Sequence, residues 1–271
     1  MLFSRGRRGL SRSLRCFVMV FLICATGSWT QPGSRARQLR VAAAADLSFA
    51  MPELVREFQA LHSDIVVTLT FGSSGNFYSQ LANQAPFDLF FSADTAYPGK
   101  LVEEGVTLDA ATFTYAVGRL VLWVPRSSTL DLNGLGMEAL KQEAIRHVAI
   151  ANPKHAPYGR IAEAALRNYG IYDEVQPKLV YGENVAQTLQ FVESGAAEAG
   201  FIAYSLAQAP GVRDSGRLWE VPADKYPRME QAGVILKWTQ EPAAARKLRS
   251  FVLGPDGRRV LSRFGFRLPG E

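Results

Sequence analysis

Residues 39–61, LRVAAAADLSFAMPELVREFQAL, predict a buried strand that leads directly into an amphipathic helix. Residues 39–44 form a short apolar run, and across residues 47–61 the large apolar side chains recur at helical spacing. The same succession of a short apolar strand and a helix of about ten residues continues along the chain. Strands that alternate with helices in this way are typical of α/β folds with largely parallel sheets, and this is the fold class that we expect.

Further segments continue this alternation. The expected strands are residues 65–71, 88–91, 147–151, 178–181, 199–203 and 233–238, and a long apolar stretch covers residues 113–124. The expected helices are residues 98–104, 135–145, 159–169 and 185–192, a short one that begins near residue 77, and two more at the C-terminal end that Gly254-Pro255 separates. A chain of 271 residues with two such series fits two lobes of similar size.

The long strands near residues 120–124 and 234–238 are natural crossings between the two lobes. We therefore predict a discontinuous first lobe of residues 39–121 and 234–271, a second lobe of residues 122–233, and a hinge between them. No internal repeat or low-complexity tract is visible in these residues.

The N-terminal residues have the composition of an export signal. Eight of the 30 basic residues and none of the 25 acidic ones lie in residues 1–40. Within them, CFVMVFLICA (16–25) is an apolar run that is too short to span a bilayer but has the length of a signal-peptide core. We predict a signal peptide over residues 1–27, a linker over residues 28–38, and export to a Gram-negative periplasm. An uncleaved anchor and a lipid on Cys24 are the alternatives.

The rest of the chain excludes several classes of function. Residues 41–271 hold 22 basic against 25 acidic residues, which is not the charge balance of a nucleic-acid-binding protein. Both cysteines, Cys16 and Cys24, lie in the predicted leader, so the exported chain would have no disulfide, thiolate nucleophile or cysteine-bound zinc. The three histidines are isolated, and no glycine motif for phosphates or dinucleotides is present. We expect a binding protein rather than an enzyme, with no cofactor and no direct metal ligands.

Four junctions between a strand and a helix carry the residues of greatest interest. They lie at residues 44–47, 72–75, 152–159 and 182–185. In open α/β sheets ligands bind at the carboxyl ends of strands, where helix N-termini present unpaired N–H groups. Several such ends that converge make an anion site without any lysine or arginine. Each junction also has a purely structural interpretation, as a serine N-cap, a tyrosine packed on the core or an ordinary helix residue.

Four segments that contain these junctions resemble the molybdate-binding periplasmic proteins of ABC importers. The segments are AAAADLSFAMPELVREF (42–58), TFGSSGNFYSQLANQAPFDLFFSAD (70–94), AIANPKHAPYG (149–159) and GENVAQTLQFVESGAAEAGF (182–201). The resemblance covers nearly all of residues 39–271. It implies a two-lobed fold of the type II periplasmic-binding-protein class, with a mostly parallel sheet and flanking helices in each lobe. It also implies a monomer that captures molybdate, with tungstate as a second ligand, and delivers the ion to a membrane permease.

The resemblance further implies which residues hold the ion. By their positions in these motifs, Asp46 and Val185 would donate backbone N–H groups, the latter from the second lobe. Ser74 would donate both its hydroxyl and its N–H. Tyr158 stands where family members have either a small residue that donates its N–H or a tyrosine.

A binding tyrosine of the family is missing at its usual place. Many members have it in the strand at the position of Ala203, and Tyr204 comes one residue later, which turns its side chain to the opposite face. We therefore hypothesise that Tyr158 supplies the missing hydroxyl.

Asp46 is the main departure from the family pattern, because members commonly have Ser, Thr or Asn there. Molybdate is fully deprotonated at neutral pH, and two unit charges at about 4 Å repel by about 4 kcal/mol at an effective dielectric constant of about 20. The carboxylate must then point away, for instance to cap its own helix, or hold a proton, or meet an anion that itself carries a proton, as phosphate does. Phosphate is therefore a rival ligand, and sulfate is a second rival as another tetrahedral oxyanion.

Two other classes of function compete with an exported binding protein. A serine hydrolase would use Ser74, but Asn76 replaces the second glycine of the nucleophile motif. A sensory anion-binding module would remain in the cytoplasm, which the predicted leader argues against.

Overall fold

Two five-stranded sheets organise the protein. The computed structural model describes residues 36–271, so the predicted signal peptide (1–27) and nearly all of the predicted linker (28–38) lie outside the described residues. None of the helices in this described part is long and apolar enough to cross a membrane.

The elements follow one another in three runs along the chain. The first run contains β1 (Arg37–Ala44), α1 (Ala50–Leu61), β2 (Ile65–Gly72), α2 (Ser74–Ala82), β3 (Leu89–Phe91), α3 (Ala96–Glu103) and β4 (Phe113–Gly118). The second contains β5 (Leu120–Pro125), α4 (Leu132–Leu135), β6 (Val148–Ala151), α5 (Pro157–Asn168), α6 (Tyr172–Val175), β7 (Leu179–Gly182), α7 (Val185–Glu193), β8 (Ala199–Ala203), α8 (Tyr204–Ala207), α9 (Val212–Ser215) and β9 (Gly216–Glu220). The third contains β10 (Met229–Ile235), α10 (Pro242–Leu253) and α11 (Pro255–Arg263). Short 3₁₀ turns cover Ala45–Leu47, Gly136–Lys141, Gln176–Lys178 and Ala223–Lys225.

The first sheet has the strand order β2-β1-β3-β10-β4. Successive side chains of β1 point to opposite faces, as the period of a strand requires. Val41 packs in a core with residues of α1, α10 and α11, whereas Ala42 packs in a second cluster with residues of α2 and α3. Both faces of the sheet are therefore covered, and β1 ends at Ala44, next to the start of the 3₁₀ turn that carries Asp46.

The second sheet has the strand order β7-β6-β8-β5-β9. Its core is one cluster that includes the fully buried strand β6 and side chains from α5 and α7. The strand β6 leads toward α5 and β7 leads toward α7, so the N-termini of both helices lie at the carboxyl edge of this sheet.

The predicted two-lobed α/β fold is confirmed, with each sheet mixed rather than largely parallel. In the first sheet β2, β1 and β3 are parallel, and β10 runs antiparallel to both β3 and β4. In the second sheet β7, β6 and β8 are parallel, and β5 runs antiparallel to both β8 and β9. A parallel neighbour requires a crossover connection. The strands β5 and β10 each enter directly from the other sheet without a crossover helix, which accounts for their reversed direction.

The chain passes between the sheets twice. It leaves the first sheet between Gly118 and Leu120 and returns to it between Glu220 and Met229. In the sequence, both passages lie a few residues N-terminal to the lobe boundaries predicted at 121/122 and 233/234. Arg119 lies at the first passage, where its Nε donates to Glu220 Oε1 over 2.8 Å, so one ion pair joins the two connections.

The apolar stretch 113–124 holds two strands in different sheets, because the chain turns from one lobe to the other at Arg119. One predicted helix differs from the structure. The helix predicted over 135–145 is only α4 followed by a 3₁₀ turn. Gly136 separates them with φ +53°, a left-handed conformation that suits glycine and ends the helix.

Candidate functional site

A small pocket lies where strand ends of both sheets meet the N-termini of helices. Its enclosed volume is about 10 Å³, room for about one water-sized group, so only a small molecule or ion can occupy it. All four predicted site residues, Asp46, Ser74, Tyr158 and Val185, line it. The other lining residues are Ala44, Ala45, Gly72, Ser73, Ala93, Ala156, Pro157 and Asn184. None of these described lining residues is a lysine, arginine or histidine.

Ser74 is the first residue of α2 and presents two donors at the pocket. Ser73 caps this helix, because its Oγ accepts from the N–H of Asn76 over 3.4 Å and its carbonyl accepts from the N–H of Phe77 over 3.1 Å. The N–H of Ser74 has no such partner among the described residues. Its hydroxyl oxygen accepts from the N–H of Ala93 over 3.0 Å, so the hydroxyl proton can be donated elsewhere.

Val185 occupies the equivalent place at the start of α7. The Oδ1 of Asn184 accepts from the N–H groups of Ala186 (3.0 Å) and Gln187 (3.1 Å), and the Asn184 carbonyl accepts from Thr188 (3.1 Å). Within the described part of the chain the N–H of Val185 is again the one without a partner. Asn184 thus satisfies the second, third and fourth N–H groups of α7, and Ser73 the third and fourth of α2, whose second N–H donates to the carbonyl of His155. The first N–H of each helix is left for the pocket.

Tyr158 brings a third helix N-terminus. Pro157 begins α5 and has no N–H, and the Ala156 carbonyl accepts from Gly159 (3.0 Å) and Arg160 (3.2 Å). Among the described residues nothing accepts the N–H of Tyr158. Its hydroxyl, in contrast, donates to Oδ2 of Asp46 over 3.2 Å. The hypothesis that this hydroxyl replaces a missing donor for the anion therefore needs correction, because a buried carboxylate already uses it.

Asp46 lies in the 3₁₀ turn after β1 and is only 1% exposed. Its Oδ2 accepts from Nε2 of Gln231 over 2.6 Å as well as from Tyr158. Its Oδ1 is buried and has no partner among the described residues. The side chain does not cap its own turn, so that option from the sequence is wrong. Burial raises the pKa of Asp46 from its ordinary 3.8 to about 6, although the hydrogen bonds from Gln231 and Tyr158 act in the opposite direction.

Contacts across the pocket hold the two lobes together. Ser205 of α8 donates its hydroxyl to the carbonyl of Asp46 over 2.8 Å. The N–H of Gly75 donates to the carbonyl of His155 over 2.8 Å. An ion pair between Arg160 and Asp94, at 2.5 Å, adds a third connection. The structure therefore shows a closed arrangement in which the pocket is shut between the lobes.

The sequence did not indicate Gln231 or Ser205. Gln231 lies within a buried strand and Ser205 in a short helix, far along the chain from the residue that both contact. The caps Ser73 and Asn184 belong to motifs that were recognised, because Ser and Asn before an apolar helical run are typical helix starts.

Comparison with known proteins adds independent findings. The sequence model of the family "Bacterial extracellular solute-binding protein" matches residues 39–267. The molybdate-binding protein ModA of Azotobacter vinelandii is 39% identical over 235 residues, which cover 87% of this chain and 92% of that protein. ModA of Rhodobacter capsulatus is 39% identical over 83% of this chain and 87% of that protein. The solved structure of the A. vinelandii periplasmic molybdate-binding protein superposes with a TM-score of 0.80 at 34% identity, covering 85% of this chain and 99% of that one.

The buried carboxyl group predicts a specific dependence of stability on pH. The folded state holds a proton on Asp46 up to about pH 6, whereas the unfolded chain releases it near 3.8. The free energy of unfolding therefore falls as pH rises through this window, by about 3 kcal/mol from this one group. We expect Asp46→Asn, which cannot ionise, to lack this loss.

Chemical denaturation of the ligand-free protein at pH 4 and pH 7 would measure this loss of stability. The stability of Asp46→Asn relative to the unmodified protein should rise by about 2.4 kcal/mol between the two values. Asp173→Asn, at an exposed carboxylate, is the matched control and should show little such change. A difference for Asp46→Asn that is the same at both pH values would contradict the expectation.

Proposed function

The chain belongs to the family of bacterial extracellular solute-binding proteins, and from this premise we propose that it captures molybdate between its lobes for the permease of an ABC importer. The observation that carries the proposal is the convergence of unpaired helix N–H groups and one serine hydroxyl on a small pocket whose lining has no cationic side chain. Two proteins named for molybdate binding are each 39% identical in sequence to this chain, which supports the choice of ion.

The donor set matches a fully deprotonated oxyanion. Every oxygen of such an ion accepts hydrogen bonds and none donates. We assign the N–H groups of Asp46, Ser74, Tyr158 and Val185 and the hydroxyl of Ser74 as its donors. Hydrogen bonds to a charged group contribute roughly 1.5–3 kcal/mol each, so five give roughly 8–15 kcal/mol before the cost of immobilising the ion. A micromolar complex needs about 8 kcal/mol.

Binding and closure depend on each other, because the donors come from both lobes. Asp46 and Ser74 belong to the first sheet's lobe, whereas Tyr158 and Val185 belong to the second. The ion has the whole donor set only in the closed form and so stabilises that form over the open one. The ion is excluded from water as the lobes meet, which strengthens each hydrogen bond.

The setting follows from the family and the predicted leader. We propose export to the periplasm by the signal peptide predicted over residues 1–27, action as a monomer, and tungstate as a second ligand of the same size and charge. We propose no cofactor beside the transported ion.

Phosphate is a second candidate ligand, favoured by one observation. Asp46 lines the pocket and its Oδ1 is a buried acceptor with no partner among the described residues, so a phosphate that still carries a proton could donate to it. A hydrolase that uses Ser74 has less support. Within the described residues the hydroxyl contacts the N–H of Ala93 and no histidine, lysine or carboxylate that could act as a base.

Titration calorimetry of the chain without residues 1–27 tests the choice of ion. We expect molybdate and tungstate to bind at micromolar or lower concentration and sulfate to bind far more weakly, because its shorter bonds leave the hydrogen bonds stretched. Phosphate that binds more tightly than molybdate would replace the proposal with the second candidate.

Removal of the Ser74 hydroxyl tests the site itself. Ser74→Ala keeps the backbone N–H but deletes one charge-assisted hydrogen bond, and we expect molybdate to bind about 10- to 150-fold more weakly. Ser79→Ala on the same helix is the matched control, since that hydroxyl donates to the Gly75 carbonyl over 3.1 Å and does not line the pocket. Equal affinities of the two variants would refute the assigned role of Ser74.

Gly75 provides a test of closure that leaves every donor in place. A Cβ there would lie 2.5 Å from the hydroxyl of Tyr97 on α3, and 2.7 Å from the carbonyl oxygen and 2.8 Å from the Cα of His155 in the opposite lobe. We expect Gly75→Ala to weaken molybdate binding at least tenfold and to keep a larger radius of gyration by X-ray scattering at saturating ligand. Gly99→Ala, where a Cβ meets nothing within 4 Å, should bind and close normally. A Gly75→Ala protein with unchanged affinity and radius would show that this contact does not limit closure.

A further inference from the structure

We propose that Asp46 takes up one proton when the oxyanion binds, so that capture of molybdate is coupled to protonation of this carboxyl group. The inference rests on the proposed function and adds to it a role for the one acidic side chain in the pocket lining. The backbone N–H of Asp46 and its carboxyl group then act on the ion together.

The two oxygens of the carboxyl group have different surroundings. Oδ2 accepts two hydrogen bonds, from Nε2 of Gln231 over 2.6 Å and from the hydroxyl of Tyr158 over 3.2 Å. The Gln231 amide is held in this orientation because its Oε1 accepts from the hydroxyl of Tyr115 over 2.9 Å. Oδ1 is equally buried and has no partner among the described residues. A proton therefore belongs on Oδ1, since Oδ2 is already occupied by donors.

An ionised Oδ1 and a bound dianion are incompatible in this pocket. Both would be acceptors and both negative, in a lining that supplies no cationic side chain. A proton on Oδ1 removes the charge and converts the orphaned acceptor into a donor toward the ion. The same step satisfies a buried polar atom that otherwise lacks a partner.

No other charged group near Asp46 can take this role. The residues that contact it from β10, α5 and α8 are Gln231, Tyr158 and Ser205, which carry no charge at neutral pH. Burial raises the pKa of Tyr158, and of Tyr115 behind Gln231, well above the ordinary 10.

More distant charges are already paired or far from the carboxyl group. The strand β2 brings no titratable side chain, and α7 brings only Glu193, which is exposed in its last turn. On α8 the ring of Tyr204 lies beneath the guanidinium of Arg119, 3.8 Å from its centre. The charges of Asp94 and Arg160 pair with each other.

The coupling makes affinity depend on pH in a defined direction. In the ligand-free protein burial already raises the pKa of Asp46 to about 6, and a dianion beside it raises that pKa further. Between the two pKa values each binding event takes up a proton, so affinity falls about tenfold for each unit of rising pH. Below about pH 6 the group is protonated before binding, and the dependence levels off. Molybdate itself stays fully ionised from pH 6 to pH 8 and contributes nothing to this trend.

Titration calorimetry with sodium molybdate at pH 7.5, in two buffers with different ionisation enthalpies, counts the protons directly. We expect uptake close to one proton per ion, and affinity at pH 6.5 about tenfold higher than at pH 7.5. Asp46→Asn places an amide nitrogen where Oδ1 lies, and should bind with no proton uptake and no such pH dependence. Glu193→Gln, at an exposed carboxylate of α7, is the matched control and should keep the proton uptake of the unmodified protein.

The outcomes separate this inference from the function on which it rests. Tight binding by the unmodified protein without proton uptake overturns the inference and leaves the function standing. An unchanged pH dependence in Asp46→Asn overturns the assignment to this residue. Absence of molybdate binding at every pH overturns the proposed function and the inference with it. If Asp46→Asn fails to fold, the proton count in the unmodified protein still decides.

Discussion

A negative ion held without a positive side chain needs hydrogen-bond donors that the fold itself leaves unused. Helix N-termini meet this need, because the first N–H groups of a helix have no acceptor within it. In this protein the caps Ser73 and Asn184, the proline at the first position of α5 (Pro157) and the carbonyl of His155, which accepts from Gly75, account for the other early N–H groups. One N–H of each helix therefore remains for the pocket. The parallel strands place these ends at the edge where the two lobes meet. The position of the donors is thus a consequence of the alternation of strands and helices.

Asp46 connects this donor set to the closure of the lobes. Its carboxyl group accepts hydrogen bonds from Gln231 of the first sheet and from Tyr158 of the second lobe. Its backbone carbonyl accepts one from Ser205. An acidic side chain that looks out of place beside an anion is therefore also the point where the two lobes share buried hydrogen bonds.

The sequence predicted the α/β fold, the two lobes and the four junctions, because these depend on local periodicity and on residues next to one another. It also predicted that Asp46, Ser74, Tyr158 and Val185 would meet, which a single pocket now shows. It could not predict the partner of the Tyr158 hydroxyl, which lies 112 positions away along the chain. Gln231 is 185 positions from Asp46, and nothing in its neighbourhood distinguishes it from any polar residue in a strand. The mixed direction of the sheets was likewise missed, since a strand that enters from another lobe has the same local pattern as one that follows a crossover helix.

The two passages of the chain between the sheets restrict how the molecule can move. Arg119 on the first is paired with Glu220 at the start of the second, so the two passages lie side by side. Two neighbouring connections that are joined to each other favour a hinge-like rotation of one half against the other over sliding. The opening and the closing of the pocket are then the two directions of one hinge motion.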